Sequence, residues 1–77
     1  MPRYFFHYRD GVEYLDHEGT LLAGPKAARA AAVRSSGEAI RDLGEAFWDH
    51  PEWTTWVTDE SGANVCSFRF AVDPGPT

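Results

Sequence analysis

The chain has 77 residues, 43% hydrophobic and 14% aromatic, and its twelve acidic and seven basic side chains leave a net charge of −5. That composition excludes a disordered chain, while the length allows one domain that buries only about 60% of its unfolded surface. The acidic balance argues against nucleic acid unless the basic residues cluster, and no apolar run approaches the roughly 20 residues that span a membrane.

Arg3-Tyr4-Phe5-Phe6-His7-Tyr8-Arg9 predicts a first strand over 3–9, and Asp10-Gly11 behind it is a strong hairpin signal. Alternation sends Tyr4, Phe6 and Tyr8 to one face and Phe5 and His7 to the other, so both faces carry rings. A second strand is expected over 12–16. Asp16-His17-Glu18-Gly19 reads as a turn with Gly19 supplying the permissive backbone. Thr20-Leu21-Leu22-Ala23 is a short apolar connector with room for a brief extra strand. Gly24-Pro25 opens a helix, since proline at the first helical position gives up no hydrogen bond. The alanine-rich stretch behind it favours helix, and Pro51 forces a stop just before itself.

At 100° per residue, Ala32, Val33, Ser36, Ala39, Ile40, Leu43 and Phe47 share one stripe. Arg34–Glu38 and Arg41–Glu45 are i,i+4 pairs outside it, worth a few tenths of a kcal/mol each. Ala30, Gly37 and Gly44 recur every seven residues beside the stripe. Two helical glycines cost about 1 kcal/mol each, and the expected return is close approach of the helix to its own sheet rather than a groove for a partner helix. Trp53 to Asp59 alternates and is rich in tryptophan and threonine, as a strand should be. After a turn at Glu60-Ser61-Gly62-Ala63, Asn64 to Val72 forms the last strand, with Cys66, Phe68 and Phe70 on one face. Residues 73–77 are expected to fray.

The fold class is therefore α+β in the order ββαββ: an antiparallel sheet of about four strands with one long amphipathic helix packed on one face. One domain covers 1–72, and Val33, Ile40, Leu43 and Phe47 are expected to meet the sheet. Five Phe, three Tyr and three Trp exceed what one thin layer consumes. An apolar patch is expected from Tyr4, Phe6 and Tyr8, or from Trp48, Trp53 and Trp56; patches beyond a few hundred Å² mark interfaces. A homodimer or a protein partner is the expected occupant.

The candidates for a metal or acid–base site are His7, Asp16, His17, Glu18 and His50. Pairing across Asp10-Gly11 brings His7 to the Leu15-Asp16 end of the hairpin, where a carboxylate can bond its ring. Metal binding needs three or four convergent ligands, which this loose group does not supply. A hydrogen-bonded strand histidine is the expected role, with no metal or cofactor. Arg29 falls near the centre of the apolar stripe. A charge there needs a partner if buried, and Asp16 or Glu18 is the expected one, with anion binding as the functional alternative. Cys66, the only cysteine, excludes an internal disulfide and suits a reducing compartment. It shares a face with Phe68 and Phe70 and reads as a small buried hydrophobe. No phosphate loop, Ser-His-Asp pattern or HExxH occurs, so catalysis is not expected.

Pro2-Arg3-Tyr4-Phe5-Phe6-His7, Asp10-Gly11, Asp16, Glu18-Gly19, Ala28-Arg29, Trp53, Val57, Asp59-Glu60, Gly62 and Phe70 together resemble a family of small rhizobial and related alphaproteobacterial proteins of unknown function. The chain departs from that pattern at Leu22-Ala23-Gly24-Pro25, where relatives often carry acidic residues, and by an insertion of Asp49-His50-Pro51. The resemblance implies a bacterial, cytoplasmic, single-domain protein and brings no activity, cofactor or catalytic residue. The opening Met1-Pro2-Arg3-Tyr4 has no apolar signal region, which also points to the cytoplasm. In layout alone the chain is similar to the small domain of HicB-type antitoxins, which bind a toxin partner. The expected function is a non-catalytic interaction module. The alternatives are a HicB-like antitoxin or regulator, and a small metal-dependent or acid–base enzyme using His7, Asp16 and Glu18.

Overall fold

The computed structural model describes residues 1–49, 52–73 and 75. The expected helix stop at Pro51, the candidate His50, and Pro74, Pro76 and Thr77 of the expected frayed tail lie outside the described residues. Strand β1 is Arg3–Arg9, as its alternation predicts. The hairpin behind it is looser than an Asp-Gly two-residue turn. Arg9 opposes Glu13 across Asp10, Gly11 and Val12, with Gly11 at φ +92°. Only Glu13–Tyr14 then pairs, as β2, and Thr20–Leu21 forms the brief extra strand β3. The helix α1 runs Pro25–Leu43, a 3₁₀ segment covers Gly44–Asp49, and β4 (Glu52–Asp59) and β5 (Asn64–Ala71) close the chain.

All strand pairings are antiparallel, in the order β2-β1-β4-β5, with β3 beside the start of β1. The result is an α+β fold with one five-stranded sheet. The turn between β4 and β5 is held by Asp59 Oδ1, which accepts from Ser61 N–H, Ser61 Oγ–H and Ala63 N–H.

The helix packs on the sheet through small side chains. Ala28 and Ala32 are fully buried against Tyr4 and Val57, and Ser36 is buried beside them. Val33, expected to meet the sheet, is 63% exposed, and Ile40 and Leu43 are only half-buried. The stripe is thus rotated toward Ala28, Ala32, Ser36 and Ala39. Alanine lets the helix axis approach where valine would hold it off. Phe47 does reach the core, from the 3₁₀ segment and not from the helix.

The two helical glycines do not serve that approach. Gly37 faces open space, and Gly44 ends the helix at φ +53°, its N–H donating to the Ile40 carbonyl. The expected i,i+4 ion pairs do not form either. Among the described residues the ion pairs are Arg9–Glu13 at 3.9 Å and Arg41–Asp42 at 3.6 Å, all exposed, and such pairs add little stability. Ser36 Oγ and Thr55 Oγ1 lie 2.8 Å apart, and Trp53 Nε1 donates to Thr55 Oγ1 at 2.6 Å. This buried polar cluster fixes how the helix sits along β4.

Candidate functional site

The edge beside β1 is interrupted. Tyr14 opposes Tyr8 and Thr20 opposes Tyr4, so residues 15–19 must fit against residues 5–7. Asp16 replaces the missing strand. Its Oδ2 accepts the Phe6 N–H at 3.1 Å, and its Oδ1 accepts the Glu18 and Gly19 N–H groups at 3.0 and 3.1 Å. Burial pushes this carboxyl up, but the backbone donors of Gly19, Phe6 and Glu18 outweigh burial and hold it below its ordinary value.

The Asp16 N–H in turn donates to His7 Nδ1 at 3.1 Å. That nitrogen therefore carries no proton, and Nε2–H donates to Thr58 Oγ1 at 2.9 Å. Both ring nitrogens of this buried histidine are spent on tying the edge loop to β4. Glu18 contributes its carbonyl, which accepts from the Arg3 guanidinium at 2.8 Å, while its side chain is exposed. Gly19 is required twice over. Its φ is +74°, and a Cβ would lie 2.7 Å from Arg3 Cγ and 2.9 Å from Phe5 Cε1.

Asp16 sits at the edge and also lines a cleft with Phe6, Ala31 and Ser35, while His7, Arg3 and Phe5 belong to the sheet face that carries no helix. Register places three cross-strand rows there: Glu13–Arg9–Thr54–Arg69, His7–Trp56–Ser67, and Phe5–Thr58–Asn64. The His7 and Trp56 rings are 5.2 Å apart, and the Arg9 guanidinium lies 5.9 Å from the Trp56 centroid. Arg3, Arg9 and Arg69 share the face with Glu13 and Glu52, so it is locally close to neutral on a chain of net charge −5. The basic residues do gather here, but the two glutamates offset them.

The six expected interface residues divide between the two faces. Tyr4 and Trp53 are core residues, 4% and 3% exposed. Phe6 and Tyr8 are half-buried on the helix side, lining adjoining clefts of ≈ 240 and ≈ 330 Å³ between β1 and the helix. There Tyr14, Tyr8 and Trp53 stack across three strands, with centroid spacings of 4.7 and 4.6 Å. Burial and the neighbouring Tyr14 and Asp10 push the Tyr8 hydroxyl up. Trp56 is half-buried on the open face, and Trp48 stands 44% exposed on the 3₁₀ segment. Sequence reasoning missed Tyr14, Leu21 and Phe70 as exposed rings and aliphatics. Each is 47–48% exposed, and only strand order reveals them.

The structure brings His7 and Asp16 together and joins the Glu18 backbone to Asp16, but leaves the Glu18 side chain exposed and Arg29 unpaired with either carboxylate among the described residues. Arg29 is exposed and makes no ion pair among the described residues, in contrast to the expected tie to Asp16 or Glu18. The stripe's rotation carries it out of the packed face. It lies near Cys66, whose thiol is pushed up by burial against the pull of that guanidinium. Among the described residues, no group of three His, Cys, Asp or Glu side chains is placed to hold a metal ion, and no helix is long and apolar enough to cross a membrane.

The geometry is thus a hydrogen-bonded clasp beside a mixed aromatic and charged surface. No curated protein and no solved structure matches the chain. A family model does: with residues 3–71 matched, the chain belongs to the family described as Domain of unknown function (DUF6894).

Proposed function

We propose that residues 1–72 act as one unit, a non-catalytic interaction module that self-associates in the cytoplasm. The observation that carries this reading is surplus surface. The chain exposes 5325 Å², whereas a folded chain of 8.6 kDa is expected to expose about 4,700 Å². The surplus of about 600 Å² per copy, doubled, is about 1,200 Å², the lower bound for a specific interface. The radius of gyration agrees, at 13.5 Å against about 11–12 Å for a compact chain of this length.

The core explains the surplus. Among the described residues Val57 is the only large side chain that is fully buried, so stability is thin and association is one of the few ways to add to it. The clasp at His7 and Asp16 supports a structural role over chemistry, because neither ring nitrogen and neither carboxylate oxygen is left free of a hydrogen bond. A reducing compartment fits the single free thiol, Cys66.

Sedimentation velocity from low to high micromolar concentration tests the reading. A mass of two chains that falls on dilution is the expected result. A monomer throughout that range overturns it.

A further inference from the structure

We propose that self-association runs through β5: Asn64–Ala71 of one copy pairs antiparallel with the same strand of a second copy, about a two-fold axis on Phe68. This rests on the self-association reading above and assigns its surface.

The two edges of the sheet are unequal. The β2/β3 edge is cut into two-residue pieces, and the gap between them is closed by Asp16, which occupies the Phe6 N–H. Such an edge cannot accept a long strand. At the other end, β5 is eight residues long, contains no proline, and carries one charge, Arg69. It is the last strand in the sheet order, with β4 on one side only. Its helix-side ring Phe70 is 48% exposed, and Phe68 beside it is half-buried, at 6.2 Å and edge-on.

Symmetry then restricts the register. In a two-fold pair, residue i opposes j and j opposes i. Directly opposed residues of an antiparallel pair also share a face, so the axis must fall on a residue. Three central positions are available. An axis on Arg69 would set two guanidinium groups directly opposite each other, which is unfavourable. An axis on Ser67 would oppose Phe68 to Cys66 but set Arg69 against Val65, where a β-bulge breaks the alternation of β5 and leaves Phe70 without a partner on its own face. An axis on Phe68 opposes Phe68 to its own copy, Phe70 to Cys66, and Arg69 to Ser67.

The Arg69 axis also joins rings, Phe68 to Phe70, but the axis on Phe68 is the one that combines apolar partners for both rings with a hydroxyl partner for each guanidinium. It yields one sheet, β2-β1-β4-β5 continued through the second copy in reverse, with both helices on one side. The whole-chain surplus of about 600 Å² per copy equals what each partner buries in a minimal specific interface.

The native thiol is a built-in probe. In this register Phe70→Cys places a new thiol opposite Cys66 of the second copy, at two symmetric positions. The two thiols of one chain cannot pair, because four strand residues separate their Cα atoms by about 13 Å and a disulfide needs less than about 7 Å. Cys66 opposes position 70, not itself, so the parent should resist crosslinking. Mild oxidation followed by non-reducing electrophoresis should give at least tenfold more covalent dimer from Phe70→Cys than from the parent.

On a Cys66→Ser background, Phe68→Cys should also crosslink and Arg69→Cys should not. These two variants decide the register even if Phe70→Cys folds poorly. A sedimenting dimer in which neither position 70 nor 68 crosslinks, or in which 69 crosslinks best, overturns the β5 register and leaves self-association standing. A sedimenting monomer with no crosslink overturns both.

Discussion

Replacing Asp16 by alanine should be among the most damaging single changes outside the core. The carboxylate satisfies three backbone donors, of Phe6, Glu18 and Gly19. The Glu18 and Gly19 groups lie on an open loop and can turn to water, so each lost bond costs well under 1 kcal/mol. The Phe6 N–H is different, because it sits in the strand beneath the loop with the backbone of β3 out of reach. An unsatisfied buried donor costs about 1–3 kcal/mol. The loss should total about 2–4 kcal/mol, against the roughly 4–12 kcal/mol available to a chain of this length. At about 4–8 °C per kcal/mol for a domain this small, Tm should fall by at least about 8 °C. Thermal unfolding followed by tryptophan fluorescence reads this, and one of the three tryptophans, Trp56, packs against His7 beside the clasp. A Tm within 3 °C of the parent would refute the claim that the carboxylate substitutes for a strand.

The acid limb gives a second reading of the same residue. Asp16 is held below its ordinary value in the fold. Its contribution is therefore complete above the unfolded carboxyl value, about 3.9, and is lost as pH falls through the folded one. Asp16→Asn should start less stable and should lose less of its stability between pH 4 and 2.

Other consequences are open to direct measurement. Gly19→Ala meets both a left-handed φ and a filled space, whereas Gly62→Ala meets only φ +87°. Urea midpoints should rank parent, Gly62→Ala, Gly19→Ala, with the last losing about 2–4 kcal/mol; equal losses would contradict the close approach to Arg3 and Phe5. Val33→Glu should lie within about 0.5 kcal/mol of the parent and Ala32→Val should lose about 1–3 kcal/mol by overpacking; the reverse order would mean that the helix is rotated the other way. Burial pushes the Cys66 thiol up, so folded protein should alkylate at pH 8 more slowly than the urea-unfolded chain. Its linked stability should fall only as pH rises above the unfolded thiol value, about 8.5, and equal alkylation rates would rule out that environment.

The strands and the fold class were legible because alternation and turn chemistry are local properties. Arg3–Arg9 could be read from its rings and from Asp10-Gly11 with no knowledge of its partners. Strand order was not legible, and Tyr14, Leu21 and Phe70 were missed for that reason, since exposure depends on which strand ends up at an edge. The helix stripe misled for a different reason. Hydrophobicity ranks Val33 and Ile40 above Ala28 and Ala32, but distance to the sheet selects the smaller side chains. Arg29 inherited the same error. Asp16 and His7 could be placed together from hairpin pairing. What remained hidden was that the carboxylate addresses the backbone and the imidazole addresses Thr58, because both depend on the break in the edge strand and on β4 lying beside β1.

That order also sets a sequence of events during synthesis. β1 is paired along its length only with β4, and the His7–Thr58 bond joins residues 51 apart. As the chain emerges, β1 can form its short hairpin with β2, but its Tyr4, Phe6 and Tyr8 face has no lid until the helix and β4 have both left the ribosome. Closure of so distant a pair is slow compared with helix or hairpin formation. The most aromatic segment is therefore made before every element that shelters it, and its rings stay open to water until β4 arrives.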